Sequence, residues 1–126
     1  MAGDLKILDM ASAMARYAAN RHQVLAQNIS NADTNGYKAK DLEPFSDIVK
    51  RATGTLSESA AARALDDSSW RVIESSAKGA ASPNGNTVSL EDQMVRSVEA
   101  QQAHEAATAI YKKTIDILRI SLGRNA

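Results

Sequence analysis

Apolar and small residues recur at alternating spacings of three and four residues from Leu5 to Ile29. This spacing is that of an amphipathic helix, and its adjacent pairs follow a heptad repeat that only Arg21 and His22 interrupt. The pattern predicts a helix about 40 Å long at 1.5 Å per residue. Its apolar stripe consists of Ile7, Met10, Met14, Tyr17, Val24, Leu25 and Ile29.

A second helical pattern occupies the C-terminal third of the chain. It opens at the sequence SLED, where Ser89 can cap the helix and Asp92 lies at its positive end, and Gly123 is a suitable stop. The predicted helix is about 50 Å long. Its stripe consists of Leu90, Met94, Val98, Ala107, Tyr111, Ile115, Leu118 and Leu122.

The segment between the two helices, residues 51–87, is rich in serine, alanine and glycine and poor in large apolar side chains. Its stretch SSAKGAASPNGNT is typical of a loop or a disordered segment. The run SSWRVIES, around Trp70, is β-branched and aromatic, which predicts a short strand or a docking element whose partner the sequence does not reveal. The chain is therefore expected to be mainly α-helical, with apolar surface left over for other chains to cover.

Composition and motifs exclude several classes of function. Lysine plus arginine equals aspartate plus glutamate at 15 each, so no nucleic-acid-binding surface is indicated. The absence of cysteine excludes disulfides and thiolate sites. No apolar run approaches the roughly 20 residues that span a bilayer, and the N-terminus lacks a secretory signal pattern. His22 and His104 lie on different predicted helices, and no catalytic, metal or cofactor motif accompanies them, so we expect no enzyme.

The polar stretch QNISNADTNGYKAKDL follows the first helix directly. We expect that helix to end near Asn31, with Gly36 in a turn of positive φ and Tyr37 covering the helix end. Lys38, Lys40 and Asp41 are expected to lie in a solvated loop.

The sequence NISNADTNGYKA resembles a signature near the N-terminus of bacterial flagellar rod and hook proteins. The stretch from Gly85 to Arg124 and the stretch GYKAKDL resemble the B-type proximal rod subunits of the basal body in particular. The matching signature positions are Asn28, Asn31, Ala32, Thr34, Gly36, Tyr37 and Lys38.

The resemblance implies an architecture. Residues 1–34 and 88–126 would be axial core helices that form an antiparallel coiled coil, joined by an elbow and a loop-rich segment over residues 35–87. Tyr37 and Lys38 would contact the next helix or a neighbouring subunit. The two apolar stripes would become contacts between subunits of a helical tube.

The resemblance also implies partners and a location. The partners would be other copies of the chain, other rod proteins, the proteins of the junction between MS ring and rod, and the flagellar type III export apparatus. The location would be the periplasmic rod, reached without a cleaved signal, and neither nucleic acid nor membrane insertion is expected.

Two alternatives stay open. One is another short proximal rod subunit, although those generally carry a C-terminal motif of the SRxYEAN kind that AHEAATAIYKK does not match. The other is a small soluble helical adaptor or export chaperone that binds a partner helix through the first stripe.

Overall fold

The structure is a computed structural model that describes residues 2–54, 58–75 and 81–123. Its main elements are two long helices, α1 (Ala2–Ser30) and α4 (Leu90–Gly123). Between them lie β1 (Lys40–Leu42), α2 (Phe45–Thr53), α3 (Glu58–Ala64), a 3-10 turn (Asp67–Ser69) and β2 (Val72–Glu74). The expectation of a mainly α-helical chain with a long helix at each end and a short β element between them is confirmed.

The two long helices pack against each other in antiparallel orientation. Asn28, near the end of α1, donates to Gln93, near the start of α4, and Arg21 contacts Glu99 one to two turns further along. The residue numbers rise on one helix as they fall on the other. The chain therefore forms a helical hairpin whose closed end lies at the junction of residues 28 and 93.

The helix–helix seam is built mostly from small and polar residues. On α4, four buried positions repeat every seventh residue, and on α1 three buried positions have the same spacing, as in a coiled coil. Alanine at these positions lets the two backbones approach closely. The buried positions are Ala11, Ala18 and Leu25 on α1 and Gln93, Ala100, Ala107 and Thr114 on α4.

The middle segment forms a small apolar core against α1. Tyr17 and Ala13 of α1 join Leu42, Ile48 and Trp70 in one buried cluster. The Tyr17 ring lies 5.1 Å from the ring of Phe45 and 5.9 Å from that of Trp70, centroid to centroid. The Trp70 indole N–H donates to the carbonyl of Ala64 at 2.9 Å, which closes the turn after α3.

β1 and β2 form the two-stranded antiparallel sheet of the middle segment. Asp41 pairs with Ile73, and Leu42 with Val72. The strand expected around SSWRVIES is therefore present, and its partner is the end of the polar stretch that follows α1. Residues 76–80, in the stretch expected to be a loop or disordered, lie outside the described residues.

The end of α1, the cap at the start of α4 and the turn at Gly36 agree with the prediction. α1 ends at Ser30, one residue before the predicted position, and Ser89 caps α4 by accepting from the amide of Asp92 at 3.3 Å. Gly36 has a φ of +73°, the left-handed conformation predicted for it. α4 ends at Gly123.

We predict that Ala107→Leu destabilises the hairpin by about 1–3 kcal/mol, because a fully buried alanine at the seam leaves no room for three more carbons. The adjacent Ala106 is exposed, so Ala106→Leu serves as a matched control with almost no effect. Urea unfolding followed by circular dichroism measures both changes. Equal stability of the two variants would contradict the close packing at Ala107.

Stability is also expected to fall at alkaline pH through Tyr17. Burial raises the pKa of Tyr17 from 10.0 to about 12; the charge of Arg21 opposes this rise, and those of Asp41 and Glu43 add to it. Because the folded pKa lies above the unfolded value, the stabilisation is complete below pH 10 and is lost as the pH rises through about 12. The loss amounts to about 2–3 kcal/mol.

Tyr17→Phe provides the control for this pH dependence. It loses the hydrogen bond that the Tyr17 hydroxyl donates to the carbonyl of Glu43 at 2.7 Å, at a cost of about 1 kcal/mol. Its unfolding free energy, measured in urea across the alkaline range, should nevertheless fall less steeply than that of the unchanged protein. Parallel curves would show that Tyr17 ionises equally easily in the folded and unfolded chains.

Candidate functional site

The side chain of Asn28 joins four segments of the chain at the closed end of the hairpin. It is fully buried, and its amide nitrogen donates to the Lys40 carbonyl at 2.6 Å and to Gln93 Oε1 at 2.9 Å. Its oxygen accepts from the Lys40 amide and the Tyr37 hydroxyl, both at 3.0 Å. All four hydrogen-bonding positions of the amide are therefore used.

The pairing of Asn28 with Lys40 has the form of a β-ladder contact. The amide side chain supplies one donor and one acceptor to the N–H and the carbonyl of the same strand residue. It thereby pairs the backbone N–H and carbonyl of Lys40 on the edge of β1 that faces away from β2. The backbone of α1 could not do this, because its own groups are used within the helix.

The rest of the signature forms contacts within the chain. Asn31 donates to the Gln27 carbonyl at 2.9 Å and accepts from the Thr34 hydroxyl at 3.0 Å, while Ala32 is half-buried between them. Lys38 donates to the carbonyl of Gly85 at 3.0 Å. The contact of Tyr37 is with the helix before it, α1, and that of Lys38 is with the loop before α4. Contacts of either residue with a neighbouring subunit remain a prediction.

A second loop, residues 84–87, binds the elbow that the signature forms. The Gly36 amide donates to the Asn84 carbonyl at 2.9 Å, and the Thr87 amide donates to the Tyr37 carbonyl at 3.0 Å. The Thr87 hydroxyl accepts from the Ala39 amide at 2.8 Å. We call residues 31–40 and 84–87 together the two-loop junction.

Asn86 is the central residue of the second loop, and the sequence reading missed it. It is 2% exposed, and its amide nitrogen donates to the carbonyls of Asn31 and Thr34 at 2.8 and 2.7 Å. Its side-chain oxygen accepts from the Val88 amide at 2.8 Å. Asn86 thus satisfies carbonyls just after α1 and also orders the approach to α4. The only local signal is a second asparagine beside an Asn-Gly turn.

An ionic cluster centred on the buried Asp41 lies beside the Asn28 site. Asp41, 6% exposed, accepts from Arg21 at 3.0 and 3.1 Å and from Arg96 at 2.7 Å. Arg96 also binds Asp92 at 2.8 Å. Burial tends to lower the pKa of each arginine, but the hydrogen bonds and charges of its carboxylate partners outweigh it, so both pKa values are raised. α1, β1 and α4 are therefore joined by charge as well as by Asn28.

The cluster corrects one expectation. Asp41 was expected in a solvated loop, but it is buried in β1 because two arginines from different helices neutralise it. The interruption of the α1 stripe at Arg21 has the same cause, since this arginine is one of the two partners.

The two apolar stripes lie in different environments. On α1, Tyr17 and Leu25 are buried, Met10, Met14 and Val24 are half-buried, and Ile7 and Ile29 are exposed. On α4, Ala107 is buried in the seam and Ile115 and Leu118 are half-buried. The other α4 stripe positions are exposed by 42–65%: Leu90, Met94, Val98, Tyr111 and Leu122. Most of the α4 stripe is therefore not used by the intrachain seam.

The chemistry of the site is that of a structural junction. Throughout the three described ranges, every buried side-chain nitrogen or oxygen has a hydrogen-bond partner. Within the same ranges, no three His, Cys, Asp or Glu residues come together as a possible metal site. His22 and His104 are both exposed. No helix in the described part of the chain has the length and apolarity needed to cross a membrane.

The fold and the junction define a class of protein: an antiparallel helical hairpin with a small β-containing side domain and exposed apolar residues on its C-terminal helix. No protein-family model matches the chain. The chain is similar to the flagellar basal body rod protein FlgB of Agrobacterium fabrum, with 24% identity in an alignment of 123 positions that covers 86% of each sequence. This similarity supports the rod-protein resemblance.

We predict that Asn28→Asp destabilises the protein by about 3 kcal/mol, because a carboxylate oxygen would replace the donor that faces two oxygen acceptors in a buried site. Gln23→Glu introduces the same charge at an exposed position of α1 and is the matched control. The free energy of unfolding in urea measures both. A loss no larger than that of the control would show that Asn28 does not hold the junction.

Proposed function

We propose that this protein is a structural subunit of the flagellar basal-body rod, specifically a B-type proximal rod subunit. In this role it polymerises through its two terminal helices and helps to transmit torque from the motor to the hook and filament. Its partners are other copies of itself, other rod proteins and the proteins that join the rod to the MS ring. It reaches the periplasmic rod through the flagellar type III export apparatus, and it has no enzymatic activity.

The observation that carries this proposal is the row of Leu90, Met94 and Val98 on α4. These residues recur every four positions, so they lie on one face of the helix, and they are 52%, 65% and 54% exposed. The seam uses other positions of the same helix. An apolar row of this kind on a slender hairpin is expected to be covered by another chain.

The geometry of a hairpin favours an open polymer. A row on one side of α4 that contacts a different surface of the next subunit gives a heterologous interface, which propagates when it does not close into a ring. The name of the similar Agrobacterium protein points to such a polymer, the rod.

The two-loop junction has a supporting role in this proposal. Together with the Asn28 site and the Asp41 ionic cluster, it clamps the closed end of the hairpin, so that α1 and α4 move as one body. A subunit that transmits torque requires such a connection, since hydrogen bonds shielded from solvent resist opening more than exposed ones.

The adaptor alternative was expected to bind a partner helix through the α1 stripe, of which only Ile7 and Ile29 are exposed. The α4 row offers such an adaptor a second apolar surface for a partner helix. The two proposals differ in stoichiometry and location. A rod subunit is retained in the basal body, whereas an adaptor remains outside it.

We predict that Met94→Asp prevents incorporation into the rod and abolishes motility while leaving the folded hairpin intact, because the side chain is exposed in the free subunit. Gln102→Asp adds the same charge at an exposed polar position of α4 and should preserve motility. Circular dichroism checks the fold, and motility in cells lacking the native copy checks function. Normal motility of Met94→Asp would contradict the assembly role of the row.

The proposal is tested most directly by mass spectrometry of basal bodies extracted with detergent, with this chain quantified against rod and ring proteins. Several copies per particle are expected. Absence from the particles, with the protein remaining in the cell extract, would overturn the rod proposal in favour of the adaptor.

A further inference from the structure

The two Asn-Gly steps of the chain lie against each other in the two-loop junction. Asn84 Nδ2 donates to Asn35 Oδ1 at 3.1 Å. Both glycines have positive φ, and a Cβ built on Gly85 would lie 3.5 Å from the Cα of Gly36. Asn35 and Asn84 are also exposed to solvent.

An asparagine followed by glycine can lose its side-chain amide in an intramolecular reaction, deamidation. The backbone nitrogen of the glycine, after losing its proton, attacks the side-chain carbonyl carbon of the asparagine. A new C–N bond forms, the C–N bond of the side-chain amide breaks, and ammonia leaves. Water then opens the resulting five-membered imide to aspartate or to isoaspartate. Glycine hinders this attack least, because it has no Cβ.

In the folded junction both attacking nitrogens are occupied. The Gly36 amide donates to the Asn84 carbonyl at 2.9 Å, and the Gly85 amide donates to the Ser82 carbonyl at 2.8 Å. Removing either proton would leave a negative nitrogen facing the negative end of a carbonyl dipole, and attack would also break the hydrogen bond. The reaction therefore requires these contacts to open first.

The two Asn-Gly pairs are protected by different kinds of hydrogen bond. The partner of Gly36 lies on the other loop, whereas the partner of Gly85 lies in the same turn, three residues earlier. Separation of the two loops thus frees the nitrogen beside Asn35 but leaves the turn at Asn84 intact.

We propose that Asn35 and Asn84 are deamidation sites that the closed two-loop junction protects, and that Asn35 becomes reactive whenever the loops separate. Reaction at either site is expected to hinder reclosure. An isoaspartate adds one atom to the backbone beside glycines in close contact, and an aspartate at position 84 places an oxygen against Asn35 Oδ1. The deamidated residue therefore remains in every chain that reacted while its two-loop junction was open.

The experiment uses the full chain, incubated at mildly alkaline pH in three states: folded in buffer, folded with added trimethylamine N-oxide, and unfolded in concentrated urea. Circular dichroism verifies the helices, and mass spectrometry after digestion quantifies aspartate and isoaspartate at positions 35 and 84. Both sites should react at least about tenfold more slowly in the folded states. Equal rates with the helical signal intact would overturn the proposal.

Asn86→Ala tests the role of the junction itself. It removes the donors to the carbonyls of Asn31 and Thr34, so deamidation at Asn35 should accelerate several-fold, and more than at Asn84. Thr87→Val, which removes only the acceptor for Ala39, is the milder variant if the first does not fold. A folded variant in which Asn35 reacts at the original rate would also overturn the proposal. Asn20, followed by arginine within α1, is the internal reference for slow reaction.

Discussion

The fully satisfied amide of Asn28 is the contact on which the arrangement of this protein depends. One side chain near the end of α1 binds a strand residue on both its backbone groups, a tyrosine of the elbow and a glutamine of α4. A small protein has few ways to orient two long helices and a side domain at once. An amide suits this task, because its two donors and two acceptors point in fixed directions and each must be satisfied when buried.

Different residues of α4 stabilise the hairpin and, in our proposal, contact neighbouring subunits. The seam on α4 consists of Gln93, Ala100, Ala107 and Thr114, whereas large apolar side chains such as Met94 and Val98 remain exposed. Small seam residues bury little apolar area each, so the hairpin relies on the Asn28 site and the Asp41 cluster at one end for specificity. Larger side chains stay available for contacts of greater area.

Features that depend on interactions between neighbouring residues were predicted correctly from the sequence. The spacing of apolar residues located both long helices, Ser89 and Gly36 were assigned from capping and turn chemistry, and the polar stretch after α1 proved to be the structural centre of the molecule. The roles of Asp41 and Asn86 were missed because their partners lie tens of residues away. The residues next to Asp41 in the sequence do not show whether it is buried, because the two arginines that neutralise it come close only in the folded structure.

The sequence by itself determined the two helices, the turn after the first and the lack of a catalytic or metal-binding motif, since each follows from neighbouring residues. Only the tertiary structure decided which face of α4 meets α1. The seam uses Gln93, Ala100, Ala107 and Thr114, a row of small and polar residues that a hydrophobicity pattern barely registers, whereas most large residues of the α4 stripe remain exposed. The physical reason is that the Asn28–Gln93 contact and the Asp41 cluster set the rotation of α4. The row that then falls in the seam has alanine at two of its four positions, which lets the two helices approach closely.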